Sequence, residues 1–309
     1  MSCISRRTFL AEGAVAFAAL SLSGTARAAR SSPRGVSIQA TDLGGGLTLL
    51  SGAGCNVVAL SGAEGALLVD GGLAANAGKL LNEARRATRA NRVHTLINTH
   101  WHPEQTGSNE RVGRAKGNIF SHENTRLWLA RESPLIGTEL SYGPLPIPAR
   151  PSRTTRGDGS LDFGGQRIDY GYLPQAHTDG DLYVHFREQD VLVTGGPFAG
   201  NGWPVLDIRN GAWIGGTMRA FEKLAAVAGP QTRVVSAHGS TLASRADLER
   251  HRDMYATLYD RLMTELNKGM GPDDVIARRV AKEYEPEMGD ASAFLNLAFR
   301  SLSLAYAPD

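Results

Sequence analysis

Four histidines in three separated stretches constrain this chain more than any other feature. His100 and His102 lie in Asn98-Thr99-His100-Trp101-His102-Pro103-Glu104-Gln105-Thr106-Gly107, His177 in Gln175-Ala176-His177-Thr178-Asp179-Gly180-Asp181, and His238 in Ser236-Ala237-His238-Gly239-Ser240. Each stretch follows a short apolar run: Val93 to Ile97, Ile168 to Leu173, and Val234 with Val235. Such runs read as buried strands, which places each histidine where a strand opens into a loop. Loops held at strand ends are where binding and catalytic residues collect. Alternate residues of extended chain point the same way, so His100 and His102 are predicted to face one ion while Trp101 points elsewhere. With His177 closing a three-nitrogen face and a fourth position open, the arrangement is that of catalytic zinc, which lowers the pKa of a bound water towards ~7. His94, His122, His185 and His251 are expected to be ordinary polar residues.

In these motifs the sequence resembles the metallo-β-lactamase fold superfamily, whose hallmark reads His-x-His-x-Asp-His, a distal His, an Asp and a final His in a Gly-His-Gly-like turn. Ala66-Leu67-Leu68-Val69-Asp70-Gly71-Gly72 matches the family's early strand and loop, Thr106-Gly107-Ser108-Asn109-Glu110 its "TGGNE", and His177-Thr178-Asp179-Gly180-Asp181 the distal histidine loop. The resemblance implies an α/β fold, an αββα sandwich of two mixed β-sheets flanked by helices. It also implies that His100, His102 and His177 form the first metal position and that His238 belongs to the second, with Glu104 within reach.

The departures fall on the second metal. Glu104 stands where the family has Asp, Gln105 where a histidine follows, and Val193-Thr194-Gly195-Gly196-Pro197-Phe198 aligns with "TGDLF", which puts Gly196 at the bridging aspartate. Glycine supplies no carboxylate, and an amide oxygen is a weak ligand for zinc. One zinc ion per chain is therefore the expectation. The implied activity is a zinc-dependent hydrolase whose metal-activated water attacks an ester, lactone, thioester or amide carbonyl, with Glu104 orienting the water or shuttling its proton. The alternative is a catalytically impaired metal- or ligand-binding accessory protein on the same fold; restoring Asp at 196 and His at 105 is expected to separate the two. Asp70, Asp179 and Asp181 are candidates for fixing the loops or accepting from the ligand imidazoles.

Ser5-Arg6-Arg7-Thr8-Phe9-Leu10 resembles a twin-arginine export signal, followed by the weakly apolar Ala14 to Leu22 and Ala26-Arg27-Ala28 as a cleavage pattern. Residues 1–28 are accordingly read as a signal peptide and 29–309 as one domain in the periplasm, with no membrane anchor once the signal is cut. From 33 basic and 31 acidic residues the signal removes three arginines and one glutamate and leaves 30 of each, a balance that argues against nucleic acid and anionic membrane as partners, while the resemblance implies a small-molecule substrate or ligand. Of the two cysteines, Cys3 leaves with the signal, so Cys55 is expected to be a small buried apolar residue.

The remaining pattern predicts strands at Leu47 to Leu50, Asn56 to Leu60, Ala66 to Asp70 and Val93 to Asn98, with helices through Leu80 to Ala84, near Glu110 and around Leu127. Residues 133 to 155 hold five prolines and are predicted to form neither helix nor central strand. Leu140, Tyr142, Leu145 and Ile147 from this segment, with Trp101 and Trp203, are candidates for an apolar mouth. Ser244-Arg245-Ala246-Asp247 reads as a capping box opening a helix that carries Leu248, Leu258, Leu262 and Leu266. Further helices are predicted through Val275 to Tyr284 and Ala291 to Tyr306.

Overall fold

Glycine-punctuated strands alternating with amphipathic helices assemble, in a computed structural model, into two sheets packed face to face. The structure describes residues 36–200, 202–239 and 241–306, so the signal segment lies outside the described residues. The N-terminal half runs β1 (Gln39–Gly44), β2 (Leu47–Ser51), β3 (Val57–Gly62), β4 (Gly65–Val69), α1 (Ala77–Thr88), β5 (Val93–Ile97), α2 (Pro103–Thr106), α3 (Asn109–Arg114), β6 (Asn118–His122), α4 (Glu123–Leu129), the small hairpin β7 (Ser133–Pro134) and β8 (Ser141–Tyr142), and β9 (Arg153–Thr155). The C-terminal half runs β10 (Gly159–Phe163), β11 (Gln166–Leu173), β12 (Asp181–Phe186), β13 (Val191–Val193), α5 (Ile214–Val227), β14 (Arg233–Val235), α6 (Arg245–Asn267), α7 (Pro272–Ala277), α8 (Glu285–Met288) and α9 (Ser292–Tyr306).

The first sheet has the order β1-β2-β3-β4-β5-β6-β9 and the second β10-β11-β12-β13-β14. Both are mixed: β4, β5, β6 and β9 run parallel to one another, as do β13 and β14, while the remaining pairs are antiparallel. Side-chain alternation sorts each strand between two cores. In β3 and β4, Val58, Leu60, Leu67 and Val69 face the second sheet and meet Ile168, Leu182, Val184 and Val193. Their neighbours Val57, Ala59 and Leu68 face outward onto Leu80 and Ala84 of α1 and Val112 of α3. On the far side, α5, α6 and α9 bury Phe221, Leu224, Tyr255, Leu258, Phe294 and Phe299 against the outer face of the second sheet. The result is the αββα sandwich expected from the sequence.

Proline dictates the form of 133 to 155, which contributes a two-residue hairpin, one turn of 3-10 helix at Ile147–Ala149 and the edge strand β9. The capping box is present: Ser244 Oγ accepts from the Asp247 N–H, and the Asp247 carboxylate accepts from the Ser244 N–H at 2.7 Å. The helix predicted through Val275 to Tyr284 is broken after Ala277, where Arg279 adopts a left-handed conformation (φ 50°), and resumes as a single 3-10 turn at Lys282–Tyr284. Among the described residues no helix is long and apolar enough to cross a membrane.

Candidate metal centre

The ends of β5, β11 and β14 converge at one rim of the sandwich, and the loops that leave them carry the histidines. His100, His102 and His177 are all buried, and one ring nitrogen from each lies within 4.8 Å of the other two. The rings meet edge to face, with centroids 4.6 to 4.8 Å apart and interplanar angles of 80° to 86°. That packing aims nitrogens rather than ring faces at a common point.

Hydrogen bonds decide which nitrogens these are. Asp207, buried at the end of the loop after β13, has Oδ2 3.1 Å from His102 Nε2, and Asn210 donates to the same oxygen at 2.7 Å. His102 Nε2–H therefore donates to Asp207, which leaves the lone pair on Nδ1. Asp70, reaching across from the end of β4, accepts from the Thr99 N–H at 2.8 Å and from the Thr99 hydroxyl. The Thr99 hydroxyl lies 3.1 Å from His100 Nδ1 and occupies that nitrogen, which leaves His100 Nε2 as the one without a protein partner. Burial pushes the Asp70 carboxyl up to about 8 against these hydrogen bonds.

The donor set fits a metal. His100 Nε2 is buried without a protein partner, a costly state for a polar atom unless something else occupies its lone pair. His102 Nδ1 and His177 Nε2 lie 3.0 Å apart, near the ~3.3 Å that two nitrogens take when each is ~2.05 Å from one tetrahedral ion. Burial, followed by the neighbouring imidazoles, holds His100 well below the usual histidine range; burial and His102 do the same to His177, opposed by the Val205 backbone. Neutral imidazole is the form that ligates.

The surrounding residues fix the loops. Asp181 accepts from the His177 and Thr178 N–H groups at 2.6 and 2.8 Å and from the Thr178 hydroxyl at 2.8 Å, and burial pushes its carboxyl up to about 7. It thus holds the backbone of His177 rather than its ring. Asn98 and Asn109 exchange side-chain hydrogen bonds of 3.0 and 2.8 Å, and Asn98 also donates to the Gln105 carbonyl, which ties the histidine loop to α3. Gly107 lets that loop pass against Gly72 and Ala74, where a Cβ would meet backbone. Cys55 is buried and free; its thiol donates to the Glu104 carbonyl at 2.8 Å, and burial pushes its pKa well above the ordinary thiol value. Asp179 accepts from the Trp128 indole at 2.7 Å and touches none of the three ligand rings.

A cavity of roughly 290 Å³ opens over the three histidines. Glu104 and Gln105 form one wall and the exposed His238 another; both Glu104 and His238 lie outside the three-histidine cluster. The rim is apolar: Pro103, Leu135, Ile136, Trp203, Pro204 and Val205. Several sequence expectations for this mouth need correction. Trp101 is fully buried and packs on His102, Trp128 and Tyr142. Leu140 and Ile147 are exposed away from the cavity, and Tyr142 turns its hydroxyl to Thr106. The proline-rich segment reaches the cavity instead through Leu135 and Ile136, the tip of the β7–β8 hairpin. Trp203 does line it, stacked on Phe294 with its indole N–H on the Gly289 carbonyl. His94, His122, His185 and His251 lie outside the cluster, and His122 caps α4 by accepting from the Asn124 N–H.

The Metallo-beta-lactamase superfamily model matches residues 50–252, the span that carries all four site histidines. The chain belongs to the metallo-β-lactamase superfamily. Among solved structures it is similar to a metallo-beta-lactamase from Pontibacter korlensis, at 20% identity and a TM-score of 0.58 over 71% of this chain and 99% of that one. It is also similar to the stereoselective inverting sec-alkylsulfatase Pisa1 from Pseudomonas sp., at 15% identity and a TM-score of 0.65 over 87% of this chain and 50% of that one. At such identities the likeness is one of fold. Comparison with curated protein sequences returns no match. Sequence reasoning missed Asp207, which the fold buries against His102 from a loop more than a hundred residues further along the chain.

Proposed function

We propose that the protein is a zinc-dependent hydrolase of uncharged, partly apolar carbonyl compounds, an ester or lactone foremost. The observation that carries this reading is the lining of the cavity. Three buried imidazoles, Glu104 and a set of apolar side chains line it, while among the described residues no lysine or arginine does. Apart from the ion itself, a carboxylate- or sulfate-bearing substrate would find no cationic side chain there and would face Glu104.

His100, His102 and His177 would hold the ion, which supplies a Lewis acid and a water acidic enough to attack near neutral pH. Asp207 holds the His102 ring and Thr99 the His100 ring in the orientation that turns a nitrogen to the ion. Glu104 takes the proton of the attacking water, and His238, exposed in the cavity lining, offers an N–H to the carbonyl or leaving oxygen. Trp203, Val205, Leu135 and Ile136 seat the apolar part of the substrate and exclude water around the reacting carbonyl.

The test is hydrolysis of a neutral chromogenic butyrate ester and a neutral lactone beside a carboxylate-bearing cephalosporin. Zinc-loaded protein is expected to turn over the neutral compounds, with Glu104→Gln lowering kcat by ~10²-fold or more. Rates equal to those of the Glu104→Gln and His100→Ala variants on every compound would sink the hydrolase. They would favour the second reading, an accessory protein that binds a small molecule on the same scaffold, for which Gly196 in place of a bridging carboxylate is the motivation. On the strength of Ser5-Arg6-Arg7-Thr8-Phe9-Leu10 and Ala26-Arg27-Ala28 we further place the mature chain in the periplasm. Replacing Arg6 and Arg7 by lysine is expected to leave it in the cytoplasmic fraction, and unchanged export would refute the twin-arginine route.

A further inference from the structure

The double glycine that ends β13 touches both halves of the histidine cluster. A Cβ built on Gly195 would fall 2.8 Å from Thr99 Cβ, the residue that orients His100. A Cβ on Gly196 would fall 2.6 Å from Cγ and 2.9 Å from Nε2 of His177, and nearer still to Cδ2. Real Cβ atoms do not approach ring atoms that closely. Gly195 also has φ +66°, so its own backbone conformation asks for glycine. Gly196 does not fall among the positive-φ residues, so its backbone conformation does not ask for glycine. The nearest obstacle to a side chain there is the His177 ring.

Family resemblance presents Gly196 as a lost ligand whose return would rebuild a second metal position. The packing says the reverse. We propose that Gly196 is a positioning residue for His177: the ring occupies the space of a side chain at 196, and the bare glycine lets it stand 3.0 Å from His102 Nδ1 in a centre built for one ion.

The ring cannot make room for that carbon and keep its place. It is bounded by His100 and His102, each edge to face against it, while its own backbone is held through the His177 N–H by Asp181 and through the His177 carbonyl by the Asp207 N–H at 3.1 Å. A side chain at 196 therefore displaces the imidazole, and with it one of three nitrogens. The part of this inference that concerns the ion rests on the zinc reading above; the part that concerns the ring does not.

Two measurements separate them. Histidine ring ¹⁵N–¹H spectra of metal-free Gly196→Ala are expected to show the His177 and His102 signals moved, with those of His122, His185 and His251 in place. Chelator competition is expected to show zinc affinity lowered tenfold or more in Gly196→Ala, and plasma mass spectrometry to find no more than one zinc in Gly196→Asp. Gly196→Ala adds a single carbon and decides the matter even if Gly196→Asp does not accumulate folded. Unmoved His177 and His102 signals in Gly196→Ala, or two zinc ions held by Gly196→Asp at wild-type affinity, would overturn the proposal. A wild-type protein that takes up no zinc, yet whose His177 signal moves in Gly196→Ala, would refute the hydrolase and support the role of Gly196.

Discussion

Replacing Asp207 by alanine removes the acceptor of His102 Nε2–H and leaves that donor buried, a loss of about 1–3 kcal/mol that falls on the orientation of the ring. Carboxylates that support metal-bound histidines typically change affinity by 10- to 100-fold. Asp207→Ala is thus expected to weaken zinc by about that factor in a chelator titration, whereas Asp179→Ala, whose carboxylate binds only the Trp128 indole, is expected to leave it unchanged. Equal losses in the two variants would show that loop integrity, not ring orientation, is at stake. The contrast also marks what a sequence reveals at this scale. His100, His102 and His177 were legible because a ligand's residue type and its place after an apolar run are both local. Asp207, Thr99 and the clash at Gly196 were not, since each acquires its meaning from a partner 29 or more positions distant, or from a ring in another loop. Asp179 shows the converse, a plausible motif carboxylate that the fold turns towards α4.

At the scale of elements, α6 is the clearest case of local grammar carried into packing. Its capping box satisfies N-terminal amides that would otherwise be orphaned, so Ser244→Ala is expected to cost about 1 kcal/mol in urea unfolding with activity unchanged. One turn later His251 stacks on Phe221 of α5 and meets Phe198 edge to face. Burial, followed by Arg250, holds its pKa below the usual range, opposed by the Asp247 carbonyl and by Glu287 and Asp247 charges. The unfolded chain binds a proton near ~6.5 that the folded ring resists, so this contribution to stability is intact above that pH and declines as pH falls below it. His251→Gln should therefore lose stability at pH 7.5 yet show a flatter decline between pH 6.5 and 5, measured by urea midpoints. An unchanged acid slope would mean that other groups carry it. The strands and α1 were legible by the same period-2 and period-3.6 rules, and β2 to β5 fall within a few residues of expectation. The break after Ala277 was not, because no proline or glycine marks it; only the left-handed Arg279 does.

For the whole molecule, both sheets deliver their histidines to one rim, so the ion would cross-link the two halves of the sandwich: His100 and His102 leave β5 of the first sheet and His177 leaves β11 of the second. A ligand that binds only the folded chain stabilises it by RT ln(1 + [L]/Kd), about 2.7 kcal/mol at a hundredfold excess over Kd. For a domain of this size each kcal/mol raises Tm by about 2–4 °C, so removing zinc with a chelator is expected to lower Tm by roughly 5–10 °C. The loss should vanish in His100→Ala and in His177→Ala, each of which withdraws one strap from a different sheet. It should persist in His238→Ala, since that side chain stands on the cavity wall outside the cluster. If His238→Ala abolishes the zinc-dependent shift as completely as the other two, the ion is held across the β14 loop as well and the three-nitrogen centre is wrong. If instead only His100→Ala and His177→Ala abolish it, the ion is held between the two sheets and its binding free energy adds to that of the apolar packing already between them.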